Sequence, residues 1–241
     1  MSLSDILNYR RAVRHFDTEK LLDSEKVKRC LQLATLAPSS SNMQLYEFYH
    51  ITDKTLLAEL AIACLSQQAA NSAQQMVVFV TRQDLHRQHA KAVLDFQIGN
   101  IKRNTSPERQ ENQLKKMKAY YSKLMPFAYS RFFGLLGLFR KLLVTLISFR
   151  RPIYVNMLES DARIVTHKSC GLAAQTFMLA MAEQGYDTCP LEGFDSGRVK
   201  KILNLPRGAE INMIICCGIR TERGIHGERY RLPFEEVYRH K

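Results

Sequence analysis

The feature that most constrains the fold is a long helical pattern over residues 156–184, which ends next to Gly185. Glycine adopts the left-handed backbone conformation that ends many helices, so Gly185 is the predicted C-terminal cap. The side chains predicted for the inner face are mostly small: Ala162, Val165, Ser169, Leu172, Ala173, Thr176 and Ala180. Because small side chains allow close approach, the pattern predicts a central helix packed on a sheet. This face suits either the core alone or the core together with a subunit interface.

Three runs, the first rich in aromatic residues and the other two largely apolar, predict strands around this helix. They cover residues 46–51, 76–80 and 211–219, and the second is apolar at every position, as in a central strand buried on both faces. Helices are predicted before and between the strands, with Ser4 and Ser24 as the N-terminal caps of the first two. The second of these helices presents an apolar face formed by Val27, Cys30, Leu31 and Ala34.

Length and composition are those of a globular protein. The 241 residues suffice for one or two domains with a sizeable core, and 46% of them are hydrophobic. The first residues lack the charged start, apolar run and cleavage site of a secretory signal, so a cytoplasmic location is expected. The six cysteines show no metal-ligand spacing, and reduced, buried thiols are predicted.

An anion-binding pattern occurs near the N-terminus, in the stretch Tyr-Arg-Arg-Ala-Val-Arg-His-Phe at residues 9–16. Arg10, Arg11 and Arg14 offer planar donor groups that suit phosphate or carboxylate. Val13 and Phe16 can anchor the stretch in a core. The alternative for this stretch alone is a solvated basic turn, so other segments have to decide between the two.

Three further segments follow it along the chain. They read Pro-Ser-Ser-Ser-Asn-Met-Gln at residues 38–44, Cys-Pro-Leu-Glu-Gly-Phe-Asp at 189–195, and Gly-Glu-Arg-Tyr-Arg-Leu-Pro-Phe-Glu-Glu-Val at 227–237. Together with residues 9–16, this ordered set resembles the FMN-dependent nitroreductase family over nearly the whole chain, except its middle third. The resemblance implies an α+β fold, with a mixed β-sheet flanked by helices and a long central helix, in one flavin-binding domain over residues 1–241. A basic and hydrophobic helical insertion is expected at about residues 100–151.

The resemblance also implies which residues bind FMN. They are Arg10, Arg11, Arg14, Ser39, Ser40, Ser41, Asn42, Gln44, Gln67, Pro190, Leu191, Glu192, Gly193, Arg229 and Arg231. The arginines would face the phosphate and the pyrimidine end of the ring, where positive charge stabilises the negative charge that develops on reduction.

Other segments of the implied site have different roles. The loop at residues 39–44 would lie across a dimer interface on the partner's flavin, and its alternative is a capped polar turn. Residues 190–193 would lie over the ring face and bring backbone amides to its reactive edge, where a glycine permits close approach. A carboxamide for the polar edge of the ring could come from Gln67, Gln68 or Asn71.

The expected chemistry is that of a cofactor enzyme. The sequence shows no Gly-rich phosphate loop of familiar spacing, no two-histidine zinc motif and no nucleophile-elbow serine, so neither a catalytic protein residue nor a metal site is expected. By resemblance, NADH or NADPH would deliver hydride to FMN, and a nitroaromatic, quinone or similar electron-poor small molecule would accept it in a ping-pong cycle. The protein would be a homodimer with its flavin sites at the interface. Related enzymes of the same fold for dehalogenation, flavin breakdown or alkene reduction are the alternatives.

Two positions depart from the family pattern. Ala12 stands where a hydroxyl residue is usual, which removes one hydrogen bond to a phosphate, worth about 1–2 kcal/mol. Leu45 and Tyr46 stand where a proline and a tryptophan are frequent. Both departures bear on flavin affinity and on the preferred electron acceptor.

The basic character of the chain is concentrated in its middle third. Residues 100–151 contain twelve Lys and Arg against two Glu, which accounts for +10 of the net charge of +12. A non-catalytic protein that binds a membrane surface or nucleic acid through this segment is the alternative from another functional class. Nucleic acid is not expected as a partner, because the segment lacks a recognised fold signature and long apolar runs interrupt its charge.

Residues 132–149 form a helical pattern that is apolar around most of its circumference. The small and polar side chains fall on one narrow stripe: Gly134, Gly137, Lys141, Thr145 and Ser148. Arg140 and Lys141 divide the apolar run into pieces shorter than the ~20 residues of a membrane span. We expect a lid or interface helix over the flavin pocket, or alternatively a membrane-surface helix attracted to anionic lipid, which would make the protein membrane-peripheral. The candidates for the substrate pocket are Phe127, Tyr129, Phe132 and Phe133.

Overall fold

The computed structural model describes residues 2–241 and is built on a four-stranded antiparallel sheet with strand order β1-β2-β4-β3. The strands are β1 (Tyr46–Ile51), β2 (Gln75–Thr81), β3 (Asp187–Leu191) and β4 (Glu210–Gly218). All of β2 is buried, which confirms the predicted central strand. Parallel pairing, the other component of the expected mixed sheet, is limited among residues 2–241 to one bridge between Ala12 and Thr188.

Helices cover both faces of the sheet, so the predicted α+β class is confirmed. They are α1 (Leu3–Tyr9), α2 (Ser24–Ala34), α3 (Lys54–Ala63), α4 (Gln68–Asn71), α5 (His86–Asn104), α6 (Pro107–Ala119), α7 (Met125–Tyr129), α8 (Leu135–Ser148), α9 (Glu159–Glu183), α10 (Ser196–Ile202) and α11 (Phe234–Val237). Successive side chains of β2 point to opposite faces. Val77 and Phe79 pack with α2 and α9, whereas Met76, Val78 and Val80 pack with α3 and α10.

The end of α9 confirms the predicted glycine cap. Gly185 has a φ of +73°, the amide of Tyr186 donates to the carbonyl of Met181 at 2.9 Å, and the amide of Gly185 donates to Ala182 at 3.0 Å. These two bonds close the helix in the Schellman arrangement. They turn the chain directly into β3, which begins at Asp187.

The orientation of α9 differs in part from the prediction. The side chains buried on its core face include Thr166, Cys170, Ala173, Ala174, Phe177 and Met181. Ser169, Ala173 and Ala180 are buried as predicted, but Leu172 is 49% exposed. Ala162, Val165 and Thr176 are only half-buried. Because α9 carries small side chains around much of its circumference, the bulky Phe177 and Met181 decide which face is turned to the sheet.

The caps of the first two helices lie one or two residues earlier than predicted. Asp23, not Ser24, caps α2 by accepting from the amides of Glu25 and Lys26. The Ser24 hydroxyl is instead 3.0 Å from the carboxamide nitrogen of Gln75, which ties α2 to β2. At α1 the cap is Ser2, in a capping box with Asp5, and Ser4 is already helical. Carboxylates and hydroxyls are both good caps, so spacing alone did not choose between neighbours.

The middle third is helical, in the order α5, α6, a π-helical turn at Tyr120–Leu124, α7 and α8. Apolar side chains of α5, the π-helical turn and α7 form a cluster of their own with Met43 and Leu45, separate from the clusters on the two faces of the sheet. Among residues 2–241, no helix combines the length and the apolar character needed to cross a bilayer. Through Met43 and Leu45, the apolar cluster holds the helical segment next to the loop at residues 39–44.

Candidate functional site

The arginines predicted to bind an anion meet at one cavity of about 390 Å³. Its lining includes Arg10, Arg11, Arg14, Arg229 and Arg231. They come from two segments that are more than 200 residues apart in sequence, which explains why no single stretch reveals the site. The segments follow α1 and β4, respectively.

Residues 10–16 are held along the β3 edge of the sheet. Val13 and Phe16 are fully buried, as predicted for anchors, and the amide of Val13 donates to the carbonyl of Thr188 at 3.1 Å. The amide of Arg14 donates to Gly224 at 2.7 Å. A Cβ on Gly224 would stand 2.5 Å from the carbonyl oxygen of His15, so this close approach requires glycine. The arginine side chains are thereby directed from a rigid backbone.

Two of the five arginines hold the site together. The guanidinium of Arg229 donates to the carbonyls of Leu7, Asn8 and Arg10, at 3.1, 3.0 and 2.7 Å. Arg11 donates to the carbonyl of Gly227 at 3.0 Å. These bonds fasten the 227–231 segment to the end of α1, so part of the cationic wall also shapes the cavity.

Arg10 carries the clearest sign of a missing anionic partner. Its Nε is buried and has no hydrogen-bond partner among residues 2–241. Within the described residues 2–241, no carboxylate lies within 4.0 Å of any of the five arginines. Burial lowers the pKa of Arg10, and the neighbouring cations Arg229, Arg231 and Arg11 lower it further. A bound anion would satisfy the buried donor and relieve this repulsion.

The loop at residues 39–44 is folded onto the helical segment. Ser41, Asn42 and Gln44 have φ values of 52°, 52° and 47°, in the left-handed region that side chains rarely adopt. The hydroxyl of Ser41 lies 2.7 Å from that of Tyr120, and the Tyr121 hydroxyl donates to the Ser41 carbonyl at 3.0 Å. These contacts hold the loop in a conformation that its own residues do not favour.

A single chain does not bring this loop to the arginine cavity. Ser40 and Ser41 line a different, largely apolar cavity of about 570 Å³ between α7, α8 and α9. Phe127 and Tyr129 line it as well. Phe132 and Phe133, predicted for the same pocket, are 59% and 94% exposed and do not line it. They lie in the turn before α8, where Phe133 has a left-handed φ of 47° and the chain directs both rings outward.

The 190–193 segment reaches the surface at the end of β3. Glu192 and Gly193 are exposed and Pro190 is half-buried, but Leu191 points into the core, because successive residues of a strand face opposite ways. The Leu191 side chain is therefore turned away from the surface at which its contact with the ring face was predicted. A Cβ on Gly193 would meet only the Gln67 carboxamide, at an ordinary 3.6 Å, so the fold itself does not demand this glycine.

Of the three carboxamides considered, Gln67 is the one that contacts this segment. Its Nε2 donates to the carbonyls of Gly193 at 2.7 Å and Cys64 at 3.0 Å. Asn71 instead donates to the carbonyl of Ser66, and Gln68 is exposed. Gln67 thus positions the loop that carries the exposed backbone of Glu192 and Gly193.

Sequence reasoning missed an ion pair that supports the site. The guanidinium of Arg220 pairs with the buried carboxylate of Asp187, stacks 4.4 Å above the ring of Tyr9, and donates to the Tyr9 carbonyl at 3.1 Å. Tyr9 in turn donates its hydroxyl to the carbonyl of Gly185 at 2.8 Å. The signal that could have revealed it is the charged Asp187 at the start of a strand that is otherwise buried.

The comparisons with known sequences agree with the resemblance described above. The sequence model of the Nitroreductase family matches residues 7–219. MhqN of Bacillus subtilis, provisionally named an NAD(P)H nitroreductase, is 24% identical over 231 residues, which cover 96% of this chain and 95% of MhqN. Protein DrgA of Synechocystis is 27% identical over 222 residues, covering 92% of this chain and 86% of DrgA.

Solved structures share the fold. YdfN of Bacillus subtilis, provisionally named a nitroreductase, has a TM-score of 0.72 at 21% identity and covers 99% of this chain and 98% of its own. A provisionally named nitroreductase from Exiguobacterium sibiricum, solved in complex with FMN, has a TM-score of 0.71 at 20% identity, covering 100% and 98% of the two chains. At these identities the likeness establishes the architecture.

Proposed function

Since this chain belongs to the nitroreductase family, we propose that it is an FMN-dependent oxidoreductase. It takes electrons from NADH or NADPH and passes them to an electron-poor small molecule such as a nitroaromatic or a quinone. The observation that carries the proposal is the buried Nε of Arg10, which has no partner among residues 2–241 and belongs to a cavity where five arginines face a single glutamate, Glu228. FMN, when bound, supplies the hydride chemistry, and the protein supplies binding, orientation and charge.

The arginine cavity fits the anionic part of FMN. Arg10 and Arg14 can donate to a phosphate or to the pyrimidine end of the ring, because no described carboxylate, including that of Glu228 in the same lining, lies within 4.0 Å of them. Arg231 lines the same cavity. Arg229 and Arg11 instead donate hydrogen bonds to backbone carbonyls and thereby fix the shape of the cavity. A cation held at this position stabilises negative charge that develops nearby, and the rigid backbone means that little reorganisation is needed.

The remaining predicted contacts are assigned to two places. The exposed backbone of Glu192 and Gly193, positioned by Gln67, would face the reactive edge of the ring. The loop at residues 39–44 lies at a separate cavity of the same chain, so its contribution would come from a second copy in a homodimer. The largely apolar cavity lined by Phe127 and Tyr129 is then the candidate pocket for a flat, electron-poor acceptor.

The test is the visible absorption spectrum of the purified protein after incubation with FMN and desalting. Retained flavin bands that bleach with NADH or NADPH under nitrogen are expected. The Arg10→Gln variant should bind FMN about 10- to 100-fold more weakly, since charge-assisted hydrogen bonds contribute ~1.5–3 kcal/mol. Arg29→Gln, which removes an exposed arginine of α2, is the matched control and should bind normally. A folded protein that remains colourless would contradict the proposal.

A further inference from the structure

Helix α8 has its polar side turned to the protein and its apolar side turned to solvent. Gly137, Arg140 and Val144 are buried against the rest of the chain. Five large apolar side chains on the other side are each 58–62% exposed: Leu135, Leu138, Phe139, Leu142 and Leu146. Phe132 and Phe133 before the helix and Phe149 after it continue the exposed surface. We call these eight residues the α8 face.

Specific contacts hold α8 in this orientation. The guanidinium of Arg140 is fully buried and donates to the carbonyls of Met157, Phe127 and Ser130. Lys141 donates to the carbonyl of Val155 at 3.1 Å. A rotation that hid the leucines would break these bonds and leave four carbonyls without their donors, so the outward apolar surface is built into the fold.

The start of α8 is fixed just as firmly. The carboxylate of Glu159 accepts from the amides of Phe132, Gly134 and Gly137, at 2.9, 3.0 and 3.4 Å. A Cβ on Gly137 would stand 2.6 Å from the amide nitrogen of Glu159, so the close contact between α8 and the start of α9 requires glycine. Phe132 and Phe133 are thereby held on the outside as well.

The charge around the α8 face selects its occupant. Residues 112–158 contain nine Lys and Arg and no Asp or Glu. A two-fold interface between copies would place this cation-rich surface against itself, and the nearby carboxylate of Glu159 is already engaged by backbone amides, so repulsion disfavours such an interface. Arg150 and Arg151, both exposed, follow directly after Phe149. Apolar side chains flanked by unpaired cations match the acyl chains and headgroups of an anionic bilayer.

We propose that the α8 face rests in the surface of an anionic phospholipid membrane, with Arg150 and Arg151 on the headgroups. At about 21 Å, fourteen residues of helix are suited to lie in the interface plane. The proposal depends on this surface alone and not on the bound cofactor.

The test is co-sedimentation of the full chain with vesicles, either of phosphatidylcholine alone or of equal parts of phosphatidylcholine and phosphatidylglycerol. The wild type should bind the mixed vesicles far more tightly. Leu138→Gln with Leu142→Gln should weaken that binding at least ~100-fold, because each inserted methylene contributes about fourfold. The control Leu21→Gln with Ile62→Gln removes two exposed apolar side chains near α3 and should change nothing.

A second pair of variants separates charge from apolar contact. Arg150→Gln with Arg151→Gln should weaken binding to the mixed vesicles by ~25-fold, since each cation near the surface contributes about fivefold. Lys26→Gln with Arg29→Gln on α2 is the charge-matched control. Circular dichroism should be unchanged for all four double variants, because every altered side chain is exposed.

Three results would overturn the proposal. The wild type could ignore both kinds of vesicle, or it could bind both equally well. The third result combines two observations: the wild type does not bind vesicles, and light scattering shows that Leu138→Gln with Leu142→Gln converts a dimer to a monomer. This result would assign the α8 face to contact with a second copy.

Discussion

The guanidinium of Arg229 donates a 2.7 Å hydrogen bond to the carbonyl oxygen of Arg10, 219 residues earlier in the chain. Two cations are thus brought together by a backbone acceptor. Since Arg229 also holds the carbonyls of Leu7 and Asn8, it links the end of α1 to the 227–231 segment. The consequence is that one side chain serves both the fold and the cavity.

Replacement of this arginine should therefore have two effects. Arg229→Gln should lower the free energy of unfolding by ~2 kcal/mol, because it releases backbone carbonyls, and should also weaken FMN binding. Arg231→Gln is the matched comparison, since within the described part of the chain the guanidinium of Arg231 donates only to its neighbouring Tyr230 carbonyl. It should weaken FMN binding at nearly unchanged stability. Urea unfolding and fluorescence titration with FMN measure the two quantities, and equal destabilisation by both variants would refute the dual role of Arg229.

Gln67 should act on reaction rate through the loop that it positions. Gln67→Ala frees the carbonyl of Gly193 and should slow flavin reduction by NADH or NADPH by about tenfold, with FMN affinity changed less than threefold, on the basis of ~1–1.5 kcal/mol for one hydrogen bond. Stopped-flow absorbance under nitrogen measures the rate. Gln68→Ala alters an exposed neighbour and should behave as wild type. A Gln67→Ala enzyme with normal kinetics would show that this loop needs no such support.

Glu210 should make part of the stability depend on acid pH. A hydrogen bond with His167 lowers the pKa of Glu210, burial opposes this, and bonds from Arg131 and Arg163 lower it further, to a value well below the ordinary 4.5. The stabilisation is complete above about pH 4.5 and is lost as the pH falls through the depressed pKa.

The matching variant is Glu210→Gln. Urea unfolding at a series of pH values measures its free energy of unfolding. This should be ~2 kcal/mol lower than in the wild type at pH 7 and should fall less steeply below pH 4.5. Glu183→Gln changes an exposed carboxylate of α9 and should leave both features unchanged. If the free energy of unfolding falls equally steeply below pH 4.5 in the wild type and in Glu210→Gln, the proposed linkage to Glu210 is wrong.

The cysteines should be inert in the folded protein. All six are buried, and burial raises the pKa of Cys30 and of Cys64 to about 11 and that of Cys170 to about 12. Because the thiolate is the reactive form, a thiol reagent at pH 7 should label none of them rapidly. In denaturant all six should react, as intact-mass spectrometry would show. Rapid labelling of the native protein would contradict the burial of the cysteines.

Much of the fold could be predicted because the relevant signals are local. The wholly apolar run of β2 and the glycine after α9 each depend on a few neighbouring residues, and both predictions are confirmed. Which face of α9 meets the sheet was only partly predictable, because small side chains on several sides leave the decision to Phe177 and Met181. The same applies to Leu191, whose direction depends on the register of β3 against β4.

The candidate site was predictable as a set of arginines but not as a structure. Guanidinium groups leave a clear trace in the sequence, whereas the acceptors of Arg229 and Arg140 are backbone carbonyls, which leave none. The apolar character of α8 was equally plain. That its polar side would face inward depends on the carbonyls of Phe127, Ser130 and Met157, and these meet only in the folded chain.

The order of synthesis adds a consequence of the two-part arginine wall. A ribosome that has translated residue 218 has already supplied every strand of the sheet, but it has not yet made Arg229 or Arg231. The residues that form the sheet therefore all precede the last two arginines of the cavity, and a chain that ended at residue 218 would keep every strand while lacking two of the five arginines.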